Sequence, residues 1–261
     1  MTDFDSIYKQ HYQRLYTLAF RMTGNREDSE DVMQSAFINA YKAYEKFRNQ
    51  SSVYTWLYRI VLNTAKRFYR ECRKLPVIEY TEEHGISQQD FYGHINSFGR
   101  VEDEVLTALT RETCLQMFMN CMPSKYRAVY TLRVMLSFST SETAEILEIG
   151  ESAVKVNLHR ARKIAQEHMN DRCSLIHPGS ICDCRSYAGF IVANDRKDIL
   201  YDIEVIENSE KAAVRDYSAE MSVILQIDNM YNNQVKAPDH DDFITRVKRF
   251  KSEGKLRILG A

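Results

Sequence analysis

Apolar residues recur at helical spacing along most of the chain. From Phe4 to about Lys74 the pattern is helical, with Gly24-Asn25 as the plain interruption. The helix after that break sets Met33, Phe37, Ala40, Tyr44 and Phe47 on one buried stripe, while Asp31, Gln34, Ser35 and Lys42 make a polar outer face. Next, "SSVYTWLYRIVLNTAKRFYR" carries two stripes side by side. Val53, Leu57, Ile60, Thr64 and Phe68 are apolar; Trp56, Arg59, Asn63, Lys66 and Arg70 form a cationic ridge headed by the one tryptophan of the chain.

Helical periodicity lapses over residues 75–103, which contain Pro76, Gly85, Gly93 and Gly99 and read as a linker. It resumes in 104–168. There "MPSKYRAVYTLRVML" is expected to form one helix that starts at Pro123 and Ser124. "SFSTSETAEILEIGESAVKVNLHRARKIA" then has the form of a helix-turn-helix. Its first helix is expected from an N-cap at Ser141 to Glu148, Gly150 allows the turn, and the second helix starts at about Ser152. Val154, Leu158, Ala161 and Ala165 supply the packing stripe of that second helix. Ser152, Lys155, Val156 and His159 point outward, with Arg160, Arg162 and Lys163 beyond them.

In the remaining residues, "SEKAAVRDYSAEMSVILQIDNMYNN" predicts a helix with Val214, Met221, Leu225 and Met230 apolar, and "DDFITRVKRFKSEGKLRIL" a second, Asp-capped one. The expected fold is all-α. Two small helical domains, 1–74 and 104–168, are joined by a flexible acidic linker, 75–103, and followed by a mostly helical extension, 169–261.

Charge sharpens this division. The net charge is −1, yet residues 1–74 hold 13 Lys and Arg against 8 Asp and Glu, and 75–103 hold 1 against 6. Between Arg59 and Lys74 six cations, Arg67 and Arg73 among them, face Glu71 alone. Binding to a polyanion follows such local patches and not the sum. The acidic turn Glu27, Asp28, Glu30 and Asp31 has two readings that can hold together: complement to a helix dipole, and a docking face. No apolar run approaches the roughly 20 residues a bilayer needs, and the first residues do not resemble a signal peptide, so a cytoplasmic location without a membrane span is expected.

In a helix-turn-helix the N-terminal residues of the second helix reach base edges, and basic neighbours hold phosphates. Arg160 and Arg162 are the phosphate candidates, with Arg162 alternatively turned toward protein. No set of residues suits catalysis, and no phosphate loop is present, so an enzyme is not expected.

Taken in order, "EDSEDVMQSAFINAYKAYEKF", "SSVYTWLYRIVLNTAKRFYR" and "PSKYRAVYTLRVMLSFSTSETAEILEIGESAVKVNLHRARKIA" resemble the second and fourth regions of bacterial RNA polymerase sigma factors of the extracytoplasmic-function (ECF) group. The resemblance implies a transcription initiation factor whose partners are core RNA polymerase and promoter DNA, with an anti-sigma factor as a further candidate partner. It implies that Asp31, Gln34 and Ser35 face the polymerase. It also implies that Trp56, Arg59, Asn63, Lys66, Arg67 and Arg70 form the surface that melts the minus-ten element, where an aromatic plate replaces a lost stacking partner. Arg48 and Asn49 lie in a loop similar to one that receives a base turned out of the stack. Ser152, Lys155, Val156 and His159 would read the minus-thirty-five element.

Beyond Ala165 the resemblance thins. Cys173, His177, Cys182 and Cys184 surround the turn at Pro178-Gly179 and are candidate ligands of a tetrahedral zinc, with His168 or a group from elsewhere in the chain as other choices for the fourth. A redox-sensitive thiol cluster and inert packing are the other readings. Cys72, Cys114 and Cys121 read as isolated packing residues. The extension is read as a restraint on one or both DNA-binding units, against a scaffold that only adds core. Two other classes remain: a stand-alone helix-turn-helix regulator that needs no polymerase, and a metal- or redox-sensing regulator.

Overall fold

The structure, a computed structural model, describes residues 2–44, 47, 51–68, 81–169, 172–195, 197, 200, 205–207, 219–241, 243–245 and 249. Three helices make the first unit: α1 (Thr2–Thr23), α2 (Arg26–Tyr44) and α3 (Val53–Ala65). Gly24 ends α1 with a φ of +87°, and a Cβ there would lie 2.5 Å from the Asn120 side chain, so both backbone and close approach call for glycine. The Asn25 side chain then accepts the Asp28 N–H at 2.8 Å and starts α2. Tyr8, Leu15, Phe20, Val32, Met33, Leu57 and Val61 fill the core between the three helices.

α3 is covered more widely than its apolar stripe predicts. Tyr58, Val61, Leu62 and Ala65 are buried along with Leu57 and Thr64, whereas Val53, Ile60 and Phe68 are only half-buried. The cause is a third neighbour: besides α1 and α2, α3 packs against the helix-turn-helix.

The linker contains α4 (Gln88–Ser97), N-capped by Ser87, which accepts the Asp90 N–H at 3.0 Å. Phe91 and Ile95, an i,i+4 pair, are buried against Phe190 and Ile191 of a later helix. Two apolar positions are too short a run to stand out as periodicity, so part of the expected linker is helix. The second unit follows with α5 (Glu104–Cys121), α6 (Ser124–Tyr130), α7 (Thr140–Leu147) and α8 (Glu151–Met169). The single helix expected over "MPSKYRAVYTLRVML" changes winding instead. After Tyr130 it becomes a π turn, Thr131–Met135, closed by the Leu136 N–H on the Thr131 carbonyl at 3.0 Å. Leu132 and Leu136 enter the first unit's core, while Val134 and Met135 enter the second's. One wide turn thus serves two cores.

The extension holds α9 (Cys184–Ala193), α10 (Ala219–Tyr231) and a small antiparallel ribbon of β1 (Val205–Glu207) with β2 (Asn233–Val235), in which Ile206 pairs with Gln234. Strands of three residues are too short to show alternation, and the ribbon escaped the helical reading. Ile227 and Tyr231 of α10 enter the second core; Val235, Phe243 and Ile244 enter the first. The extension therefore rests on both units. Val214 and the end of the second expected helix lie outside the described residues.

Two buried arginines stitch the units directly. Arg21 of α1 donates to Gln116 Oε1 at 2.9 Å, and the Glu112 carboxylate lies 3.6 Å away, all three side chains being buried. Arg127 of α6 donates to the carbonyls of Met22 at 2.8 Å, Met122 at 3.3 Å and Asn120. Met22 lies in the last turn of α1, where carbonyls lack helical partners, so Arg127 caps one unit from within the other. Arg127→Met should strip three acceptors of a charged donor and cost on the order of 3 kcal/mol, read as a lower urea midpoint. An unchanged midpoint would show that the contact contributes nothing.

Candidate nucleic-acid interface

The cationic ridge rides on α3, whose start is fixed by Ser52 accepting the Thr55 N–H at 3.0 Å. Trp56 is half-buried, with its ring centroid 4.9 Å from that of Phe47 and 6.4 Å from that of Tyr44. It is neither a core tryptophan nor a free plate: packed on one side and open on the other. Asn63, Lys66 and Arg67 are exposed, and Lys66 donates to Asn63 Oδ1 at 2.9 Å. Arg48, Asn49 and Arg70 lie outside the described residues.

Arg59 differs from its neighbours on the ridge. Its guanidinium donates to the Glu145 carbonyl at 2.8 Å and lies 3.2 Å from the Glu148 carboxylate, leaving its side chain 27% exposed. Both partners belong to the end of α7. Glu148 itself holds the left-handed conformation there, with φ +56°, an uncommon state for a residue with a Cβ. Gly150, expected to provide that freedom, is not among the glycines of positive φ. The turn is therefore closed one step earlier than expected, by a residue whose carboxylate meets Arg59.

The N-terminus of α7 also differs in detail. Ser139, not Ser141, is the cap: it accepts the Glu142 N–H at 3.1 Å while the Glu142 carboxylate accepts the Ser139 N–H at 2.7 Å. This reciprocal box was readable from Ser139 and Glu142 three apart. In α8 the packing stripe Val154, Leu158, Ala161 and Ala165 is buried as expected. Ser152, Lys155, Val156, His159 and Arg160 are all exposed, and Arg160 also reaches the Tyr126 hydroxyl at 3.3 Å. Arg162 is turned toward protein, donating to Asp228 Oδ2 from Nε at 2.9 Å and Nη2 at 2.6 Å. Tyr130 donates to the other oxygen of Asp228 at 2.9 Å. Asp228 lies in the extension, and no local motif marks it as that partner.

On α2, Asp31 is exposed and Gln34 and Ser35 are half-exposed. Partial burial, and then the nearby Asp28, Glu27 and Glu30, raise the Asp31 carboxyl above its usual range. A cationic partner would relieve that crowding.

Comparison with known families fits this arrangement. The "Sigma-70 region 2" family matches residues 7–74, and "Sigma-70, region 4" matches residues 112–164. The ECF RNA polymerase sigma factor SigW of Bacillus subtilis is 31% identical over 169 residues, covering 65% of this chain and 88% of SigW. The chain belongs to the ECF RNA polymerase sigma factors. As such it is a transcription initiation factor that binds core RNA polymerase and directs it to promoter DNA. The ECF sigma-E factor of Haemophilus influenzae is 31% identical over 142 residues, covering 54% of this chain and 75% of that protein. The solved structure of the sigma factor RpoE in complex with the anti-sigma factor NepR from Bartonella quintana covers 64% of this chain and 96% of that one, at 17% identity and a TM-score of 0.43. Neither family match extends past residue 164 of this sigma factor. No helix among its described residues is long and apolar enough to cross a membrane.

The expected zinc ligands separate. Cys173, Cys182 and Cys184 line one cavity together with His168, the other choice for the fourth ligand, whereas His177 is exposed in the adjoining turn and does not. Cys114, read from sequence as isolated on its helix, lines the same cavity. Only the fold brings it there, from about 60 residues earlier in the chain.

The cap on α7 gives a test of the helix-turn-helix. Hydrogen bonds from Ser139 hold the Glu142 carboxyl below its usual range. Its stabilisation is thus present above the ordinary glutamate pKa and lost as the pH falls through the depressed one. Ser139→Ala should cost about 1 kcal/mol at neutral pH, and less in acid, in denaturation of the chain. Equal stability of the two proteins at neutral pH would remove the cap from the account.

Proposed function

We propose that this sigma factor is held closed by its own extension, so that its promoter-melting residue Arg59 is occupied until the two units part. The observation that carries the occupancy is the pairing of Arg59 with the Glu145 carbonyl and the Glu148 carboxylate of the second unit, a contact that the extension braces by entering the cores of both units. A guanidinium committed to those groups is not free to hold a DNA phosphate. In this reading Trp56, Asn63, Lys66 and Arg67 complete the melting surface, joined by Arg48, Asn49 and Arg70. Asp31, Gln34 and Ser35 dock on the polymerase. Ser152, Lys155, Val156 and His159 read bases, and Arg160 holds phosphate.

Arg162 acts through Asp228 as an anchor for α10 in the closed form and becomes a phosphate contact when that anchor lets go. The other end of the extension is tied to the first unit: Gln13 donates to the Val235 carbonyl at 2.5 Å and Phe243 packs at 5.4 Å from the Tyr12 ring. A segment seated on both units acts within one chain as an anti-sigma factor acts between two, and a separate anti-sigma factor could use the same faces. The chain works in the cytoplasm with the polymerase and carries out no chemistry of its own.

Run-off transcription with purified core polymerase tests the melting surface. Trp56→Ala should keep polymerase binding and lose promoter opening roughly tenfold or more, as expected from removing one base–aromatic stack. Normal opening by that variant would take Trp56 out of the site. Phe243→Asp should expel the extension from the first unit without touching the second, and raise transcription above that of the unaltered chain. Equal or lower transcription, with helix content preserved, would contradict the restraint.

A further inference from the structure

Four cysteines converge on one cavity of about 80 Å³. Cys114 comes from α5 in the second unit. Cys173 and Cys182 face each other across an isolated bridge, with the Cys182 N–H on the Arg172 carbonyl at 2.8 Å and the Ser174 N–H on the Cys182 carbonyl at 3.0 Å. Cys184 opens α9, just after its cap Asp183. We propose that Cys114, Cys173, Cys182 and Cys184 together bind one thiophilic d10 cation, zinc in the first place, as a four-thiolate site. Cys114 takes the position that the spacing alone assigned to His177.

The surroundings suit thiolates. The turn that carries Cys173 is fixed by the Ile176 and His177 N–H groups, both on the Cys173 carbonyl at 3.0 Å. Four thiolates around a divalent cation leave two net negative charges, and two guanidiniums stand near: Arg172 in the cavity wall and Arg111 close enough to act on Cys184. Among the described residues no three ligand side chains yet stand grouped as a metal holds them. Closing the site therefore requires the sulfurs to turn inward, to about 2.3 Å from the metal. Binding exchanges four S–H protons for four metal–sulfur bonds, with no change of oxidation state. The bound ion would tie α5 of the second unit to the base of the extension, whether or not the extension restrains the promoter-facing residues.

The test uses the full chain, purified reduced and metal-free, and titrated with Co²⁺. The expected result is one Co²⁺ per chain, with the intense visible bands of a tetrahedral site and thiolate charge-transfer absorption, displaced by Zn²⁺. Cys114→Ser should weaken that absorption, while Cys121→Ser and His177→Ala leave it unchanged. Because Cys114→Ser could disturb the fold, alkylation of the unaltered chain followed by peptide mapping gives a second readout. Zn²⁺ should protect Cys114, Cys173, Cys182 and Cys184 together and leave Cys121 as reactive as before. Failure to bind Co²⁺, or protection that omits Cys114, would overturn the proposal.

Discussion

The arrangement depends on a polar seam. Arg21 and Arg127 sit fully buried between the two units, one facing Gln116 and Glu112, the other facing the last carbonyls of α1. Taking a guanidinium out of water is costly, and only good pairing offsets it. Arg127 is well supplied through its two Nη atoms; Arg21 is less so, with Glu112 at 3.6 Å and its Nη2 without a hydrogen-bond partner among the described residues. Such a seam specifies one geometry strongly, because a shifted contact would strand a charge. It also binds less tightly than an apolar interface of equal size, because water can replace each hydrogen bond once the units part. A junction with both properties suits the proposed mechanism, in which one closed form is adopted and then left.

The rest of the closed form follows from that junction. With α1 fixed against α5 and α6, the end of α7 meets α3, and Arg59 finds the Glu145 carbonyl and the Glu148 carboxylate. The left-handed Glu148 is the C-cap of α7, with its own N–H on the Glu145 carbonyl at 3.4 Å and the Ile149 N–H on the Ala144 carbonyl at 3.1 Å, and its carboxylate meets Arg59 of the other unit. The same docking leaves the outer face of α8 untouched: Ser152, Lys155, Val156 and His159 are exposed. The closed form thus engages a residue of the proposed melting ridge while leaving the proposed base readers open. The extension closes over both units and adds Asp228 as the partner of Arg162.

The sequence carried the elements and much of the proposed interface. α1, α2 and α8, with the packing stripes of the last two, were legible because each has several apolar residues at helical spacing, and the exposed readers of α8 followed by subtraction. The contacts between units were not legible. Arg59, Lys66 and Arg67 are all cations on one helix, and nothing local says that the first is paired and the others are exposed. Cys114 and Cys184 lie far apart in sequence and share a cavity only through the packing of α4, α5 and α9. The π turn after Tyr130 arises because one segment must serve two cores, a demand that appears only once both units are in place. The Ser139 cap was written in the sequence, with Glu142 three residues on, and Ser141 was the nearer but weaker candidate.

The central claim is that the free protein is closed and that the polymerase-bound protein is not. Spin labels placed through non-natural residues at Asn39 on α2 and Ala153 on α8, both exposed, would report the separation of the two units without touching the cysteines. The account predicts a single short, narrow distance distribution in the free chain and a longer one on addition of core polymerase. A broad distribution in the free chain, or the same short distance in the complex, would contradict it.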